Sequence, residues 1–176
     1  AILDFDDIKN PLLNGGQAKT TYEIGKILVN RGHRVVVYSY KFQGAKDRVD
    51  CGIEYIHIGM GTKNIKINNA VYVLTAGFYA RKIKADLIIE CFTAPVSTLF
   101  SSLFTKVPVI GLGTSFEAER FSRLYHFPFW VIERIGCKFY KYFIAYNPTH
   151  EQKIKKLNKR LISVTIPEGV EKKFLE

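Results

Sequence analysis

The chain has 176 residues and a net charge of +10, from 26 Lys and Arg against 16 Asp and Glu. That length suits one domain with a full core and leaves no room for a second. With 47% apolar residues it is not a disordered chain, and its charge calls for an anionic partner: nucleic acid, an acidic membrane face or a phosphorylated ligand. In chain order, the apolar run 2–5 reads as a strand that ends among Asp4, Asp6 and Asp7. Asn14-Gly15-Gly16 then leads into a helical pattern, with Ile24, Ile27, Leu28 and Arg31 on one face and Gly32 at the C-terminal cap. Residues 34–40 and 53–58 read as strands, 69–83 as a helix, 86–91 as a buried strand and 95–104 as a helix with Pro95 in its first turn. A strand over 107–112, an aromatic helix over 129–142 and a short strand over 143–146 follow. A helix capped by Asn147, with Pro148 in its first position, runs to about Leu157, and a last strand spans 161–166.

Strands alternate with helices, and most strands lack a polar face. This pattern predicts an α/β chain: a Rossmann-like, doubly wound, mainly parallel sheet with helices on both faces. Cys51, Cys91 and Cys137 are odd in number and show no C-x-x-C spacing, so no disulfide framework is expected. His33, His57, His126 and His150 lie far apart and make no metal-ligand pair, so no metal is expected. No apolar run is long enough to span a bilayer, so any membrane contact is peripheral. No signal peptide is read, and the start, which lacks Met, reads as trimmed.

The chemistry-bearing unit is the first strand, the Gly15-Gly16 loop and the helix after it. A helix N-terminus presents unpaired N–H groups and a positive dipole end, and glycine lets a phosphate come close to the backbone. Neither G-x-G-x-x-G nor G-x-x-x-x-G-K-[ST] is present, so the loop alone also fits an ordinary turn into a helix.

Four segments in register carry more weight. Gly15-Gly16, followed by Ile24-Gly25-Lys26-Ile27-Leu28 and Arg31-Gly32-His33-Arg34-Val35, resembles the opening of the family 4 glycosyltransferases. Ala85-Asp86-Leu87-Ile88-Ile89 and Val107-Pro108-Val109-Ile110 resemble that family's fourth and fifth strands. Ile166-Pro167-Glu168-Gly169-Val170-Glu171, with Phe174, resembles its interdomain junction. The resemblance implies a GT-B enzyme of two Rossmann-like domains. Residues 1–165 would be the N-terminal, acceptor-side domain and 166–176 the start of the linker, with the C-terminal donor-binding domain outside this chain. It implies sugar transfer with retention from a nucleotide-sugar donor, no tightly bound cofactor, and Gly15 and Gly16 beside the donor diphosphate. This half on its own is expected to be inactive.

Two positions depart from the family pattern. After the fifth strand the family often carries a His, where this chain has Gly113-Thr114-Ser115-Phe116-Glu117. Thr114 and Ser115 are therefore acceptor-site candidates, as are Glu117 and Glu119, which also suit a helix start favoured by the dipole. Thr93, after the fourth strand, is a candidate because ligands bind at the carboxyl edge of such sheets. The second departure is Glu168 in place of Asn at the junction. His33 reads as structural, and His57 as lying on a solvated strand face.

Residues 116–146 are rich in aromatic side chains, and residues 134–160 carry eight Lys and Arg against Glu151 alone. The plain interpretation is core aromatics with solvated lysines. The sharper one is a contact with an anionic membrane surface through Trp130, Lys138, Lys141, Lys153, Lys155 and Lys156. It would bring a lipid-linked acceptor to the cleft and place the protein in the cytoplasm, peripheral to the inner face of the cell membrane. Nucleic acid is not the expected partner, since no nucleic-acid-binding motif is recognisable. A non-catalytic nucleotide- or anion-binding module and a peripheral membrane-binding domain are the alternatives to the enzyme.

Overall fold

A computed structural model describes residues 1–11, 14–94 and 100–169. It contains an eight-stranded sheet: β1 (Ile2–Leu3), β2 (Val35–Tyr40), β3 (Arg48–Asp50), β4 (Ile53–Ile58), β5 (Ile88–Ala94), β6 (Val109–Phe116), β7 (Tyr142–Ala145) and β8 (Ile162–Thr165). The spatial order is β3-β4-β2-β1-β5-β6-β7-β8, and β3, at the edge, is the antiparallel member. Among the described residues five α-helices accompany it: α1 (Gly16–Asn30), α2 (Ile65–Tyr79), α3 (Ala118–Tyr125), α4 (Phe129–Cys137) and α5 (Pro148–Leu157).

The two faces of the sheet carry two apolar clusters. On one, Tyr22, Leu28 and Val29 of α1 pack over Ile2, Val35, Val37, Ile53 and Tyr55. On the other, Tyr72 and Ala76 of α2, Ala118 of α3, Cys137 of α4 and Ile154 of α5 close over Leu3, Phe92 and Phe143. The doubly wound, mainly parallel arrangement is therefore present. The sheet winds outward in both directions from β1, so the β1–β5 gap is its topological switch point.

Local chemistry explains most boundaries. Gly32, at φ +86°, takes the left-handed step that ends α1. The second helix starts four residues earlier than its periodicity predicts. Asn64 caps it, accepting hydrogen bonds from the N–H groups of Lys66 (3.0 Å) and Ile67 (3.4 Å). Asn147 caps α5 as expected, accepting from the His150 N–H at 2.8 Å.

Two expected helices need correction. The aromatic helix expected over 129–142 stops at Cys137, because Tyr140 turns into the core and donates to buried Glu90 at 2.7 Å. Ahead of it lies α3, which 129–142 did not include. The helix expected over 95–104 is, among its described residues, one 3₁₀ turn at Ser101–Leu103, and residues 95–99 lie outside the described residues.

Candidate functional site

The carboxyl edge of the sheet at the switch point gathers the ends of β1, β5 and β6. At the end of β1, Asp4 is fully buried, and Thr21 of α1 donates to its Oδ2. The Asp6 N–H donates to Asp4 Oδ1 at 3.1 Å. Burial disfavours the charged carboxylate and pushes Asp4 up to about 7, against the lowering effect of the Thr21 hydrogen bond. Burial likewise pushes Asp6 up to about 6. Gln17 donates to Thr21 Oγ1 (3.2 Å) and to Cys91 Sγ (3.1 Å), which fixes the first turn of α1 against β5.

Above this buried layer, Gly15 is the N-cap of α1. As glycine it has no side chain to cap the helix, and no acidic residue lies in the first turn. Its carbonyl accepts from the Lys19 N–H at 3.3 Å, and the N–H groups before that one have no partner within the helix. Gly16 is exposed, and a Cβ there would meet nothing within 4 Å. A Cβ on Gly15 would lie 4.0 Å from Asp6 Oδ2. The site thus offers uncapped N–H groups beside a carboxyl that titrates close to neutrality. An anion seated on the N–H groups would favour the protonated form of Asp6.

Across the switch point, Thr93 lies in the last turn of β5. The register of β5 and β6 slips there. Phe92 faces Gly113 but Thr93 faces Ser115, so Thr114 is the extra residue of a bulge. Bulges at strand ends redirect the chain beside sites, and this one sits where sequence reading put the acceptor candidates. The backbone places Thr93 and Thr114 at the edge, and their side chains lie outside the described residues.

No protein-family model and no curated protein matches the chain. Among solved structures, it is similar to sucrose-phosphate synthase from Thermosynechococcus elongatus, with a TM-score of 0.66 at 14% identity over 99% of this chain and 91% of that chain. The chain shares that structure's Rossmann-like α/β fold.

The remaining candidates fall into two groups. Glu117 and Glu119 line an open groove with Phe116, Arg120, Arg123 and Leu124. Glu117 is paired with Arg120 at 2.8 Å, and Ser115 is half-buried just before it. Trp130 is exposed, with the Arg134 guanidinium 5.0 Å from its ring centroid. Lys138, Lys141 and Lys156 are exposed, and Lys155 pairs with Glu151 at 2.7 Å. Lys153 instead turns inward. Its Nζ reaches the buried Glu133 carboxylate at 3.1 Å and donates to the Phe116 carbonyl at 2.9 Å. Glu133 also accepts from the Ala118 N–H at 3.4 Å, so this pair ties α4 and α5 to the end of β6. Among the described residues no cluster of His, Cys, Asp and Glu could hold a metal ion, and no helix is long and apolar enough to cross a membrane.

His57 is not on a solvated face. Its side chain is 1% exposed, with Nε2 2.9 Å from Asp7 Oδ2 and Nδ1 3.2 Å from Asp47 Oδ1. Arg48 donates twice to the same Asp7 carboxylate, at 2.7 and 2.8 Å, and the Lys9 N–H donates at 2.7 Å. The chain after β1 folds over the carboxyl end of β4 and takes His57 inside with it. Alternation along β4 could not reveal this, because the covering segment comes from elsewhere in the chain. The network pins the start of the segment that leads to Gly15.

Proposed function

We propose that this chain is the acceptor-side half of a retaining glycosyltransferase that moves a sugar from a nucleotide-sugar donor. The observation that carries the reading is the uncapped, glycine-edged N-terminus of α1 at the switch point of a glycosyltransferase-like sheet. Gly15 and Gly16 would cradle the donor diphosphate with backbone N–H groups and stabilise the charge on the departing phosphate. Protonated Asp6 can add a further donor at that position. Thr93, the bulge at Thr114 and Ser115, and the Glu117–Glu119 groove would hold the acceptor beside it. The reaction then depends on positioning and charge stabilisation, with most donor contacts supplied by a second domain.

Titration of the chain with uridine, guanosine and adenosine diphosphates, followed by amide chemical shifts, tests the donor site. Shifts centred on Gly15, Gly16 and Gln17 are expected with at least one of them. If none of the three moves these amides, the reading fails. Transfer assays on the 176-residue chain alone are expected to show no turnover, and measurable turnover would overturn the division of labour between two halves.

A further inference from the structure

The tip of the α3–α4 hairpin is more apolar than a solvated surface needs to be. Residues 123–128 are all exposed, and they include Leu124 (63%), Tyr125 (57%) and Phe127 (51%). Trp130 and Ile135 continue the patch along α4 at 41% and 45%. Neighbouring rings hold the aromatic side chains in place: Phe121 stacks on Tyr125 at 6.2 Å, and Phe127 lies 4.9 Å from Phe129. Cations flank the patch. Arg120 and Arg123 lie on α3, Arg134 covers Trp130, and Lys138 follows α4. Glu117 and Glu119 are the carboxylates nearby, and Glu117 is already paired.

Apolar and aromatic rings at an exposed apex with Arg and Lys around them match the headgroup boundary of an anionic bilayer. The rings enter the interface while the cations meet lipid phosphates. We propose that the α3–α4 tip, centred on Leu124, Phe127 and Trp130, docks on an anionic lipid surface. Of the six residues that the sequence offers for this role, Lys153 and Lys155 of α5 are less suited than Trp130 and Lys138. Lys153 is committed to Glu133 and the Phe116 carbonyl, and Lys155 to Glu151. The same α3 residues Arg120, Arg123 and Leu124 line the groove beside Glu117, so docking would set that groove against the lipid. The proposal does not depend on sugar transfer and can fail or stand without it.

Trp130 is the only tryptophan in the chain, so its emission reports the tip directly. Vesicles of phosphatidylglycerol and phosphatidylcholine are expected to blue-shift Trp130 emission, and lipids brominated in the upper acyl chain to quench it. Pure phosphatidylcholine and raised salt are expected to weaken the effect. Phe127→Asp or Leu124→Asp, each checked for an unchanged circular dichroism spectrum, is expected to weaken binding by about tenfold or more, the scale of withdrawing one large apolar side chain from the interface. Lys156→Glu on α5 is expected to leave binding close to that of the parent chain. Absence of any emission change with anionic vesicles overturns the proposal. So does sedimentation with vesicles while Trp130 stays unquenched, because another surface then docks. Equal quenching by neutral vesicles overturns the anionic part. Trp130 already shielded from acrylamide without lipid would show that protein, not lipid, covers the tip.

Discussion

The Asp7 carboxylate and the His57 imidazole meet at 2.9 Å inside the protein, fifty positions apart in sequence. Arg48 completes the group with two hydrogen bonds to the same carboxylate. Burial alone would raise Asp7, but the hydrogen bonds from His57, Arg48 and the Lys9 N–H outweigh it and hold Asp7 well below the usual carboxylate range. Removing one partner of a buried pair leaves the others uncompensated. Asp7→Ala is therefore expected to cost about 3 kcal/mol or more, measured as a fall in the urea midpoint. Because the folded-state value is depressed, the contribution of Asp7 is present above its ordinary unfolded value near 3.8 and lost as pH falls below it. Asp7→Asn should consequently show a shallower acid loss than the parent chain. An equal acid loss in the two proteins would contradict the assignment.

Asp4 works in the opposite sense. Its folded value of about 7 lies above the ordinary 3.8, so the folded state binds the proton more tightly than the unfolded chain does. Its contribution is full below about 4 and is lost as pH rises to about 7. Asp4→Asn keeps the shape and an oxygen able to accept a hydrogen bond, but carries no charge to desolvate. The stability gap between Asp4→Asn and the parent should be small at pH 4 and should widen in favour of the variant up to about pH 7. Urea midpoints across that range check this. A gap that stays constant with pH would show that Asp4 does not titrate there.

The alternation of apolar strands and helices made the doubly wound sheet legible, and three of the family-like segments fall on α1, β5 and β6, while the fourth follows β8 and lies partly outside the described residues. The turn from Gly15-Gly16 into α1 was equally legible, because a glycine pair and the following helix are local signals. What escaped depends on partners distant in sequence. β3 is three residues long and recognisable only through its pairing with β4. The inward turn of Lys153 depends on Glu133, which reads as one more polar residue on an aromatic helix. The bulge at Thr114 appears only when β6 is laid against β5.

Gly111 lies inside the strand expected over 107–112 and Gly113 just past it, and both lie inside β6. A Cβ on Gly111 would stand 2.5 Å from Phe143 Cδ2, and one on Gly113 2.6 Å from Phe143 Cε1. The ring of Phe143, 1% exposed, fills the space that these glycines leave. Gly111→Ala is expected to cost about 1–3 kcal/mol through overpacking against that ring. Combined with Phe143→Leu, the same change should cost less, a coupling that a double-mutant cycle on urea midpoints measures. Strict additivity would show that the ring is not the obstacle.

Gly16→Ala separates the proposed phosphate contact from stability at the α1 N-terminus. Gly16 is the first helical residue, does not take a positive φ, and has open space where a Cβ would point. Alanine there restricts the unfolded chain without straining the fold, so a gain of about 0.4–1 kcal/mol in stability is expected. A Cα–Cβ bond of a helix tilts toward its N-terminus, so the added methyl would crowd a phosphate seated on the N–H groups there. Nucleoside diphosphate binding is therefore expected to fall by about tenfold while the urea midpoint rises, because loss of close backbone approach removes hydrogen bonds to a charged group. Calorimetric titration and denaturation of the same preparation give both numbers. Binding that survives unchanged in a stabilised Gly16→Ala protein would place the phosphate elsewhere and remove the glycine loop from the donor site.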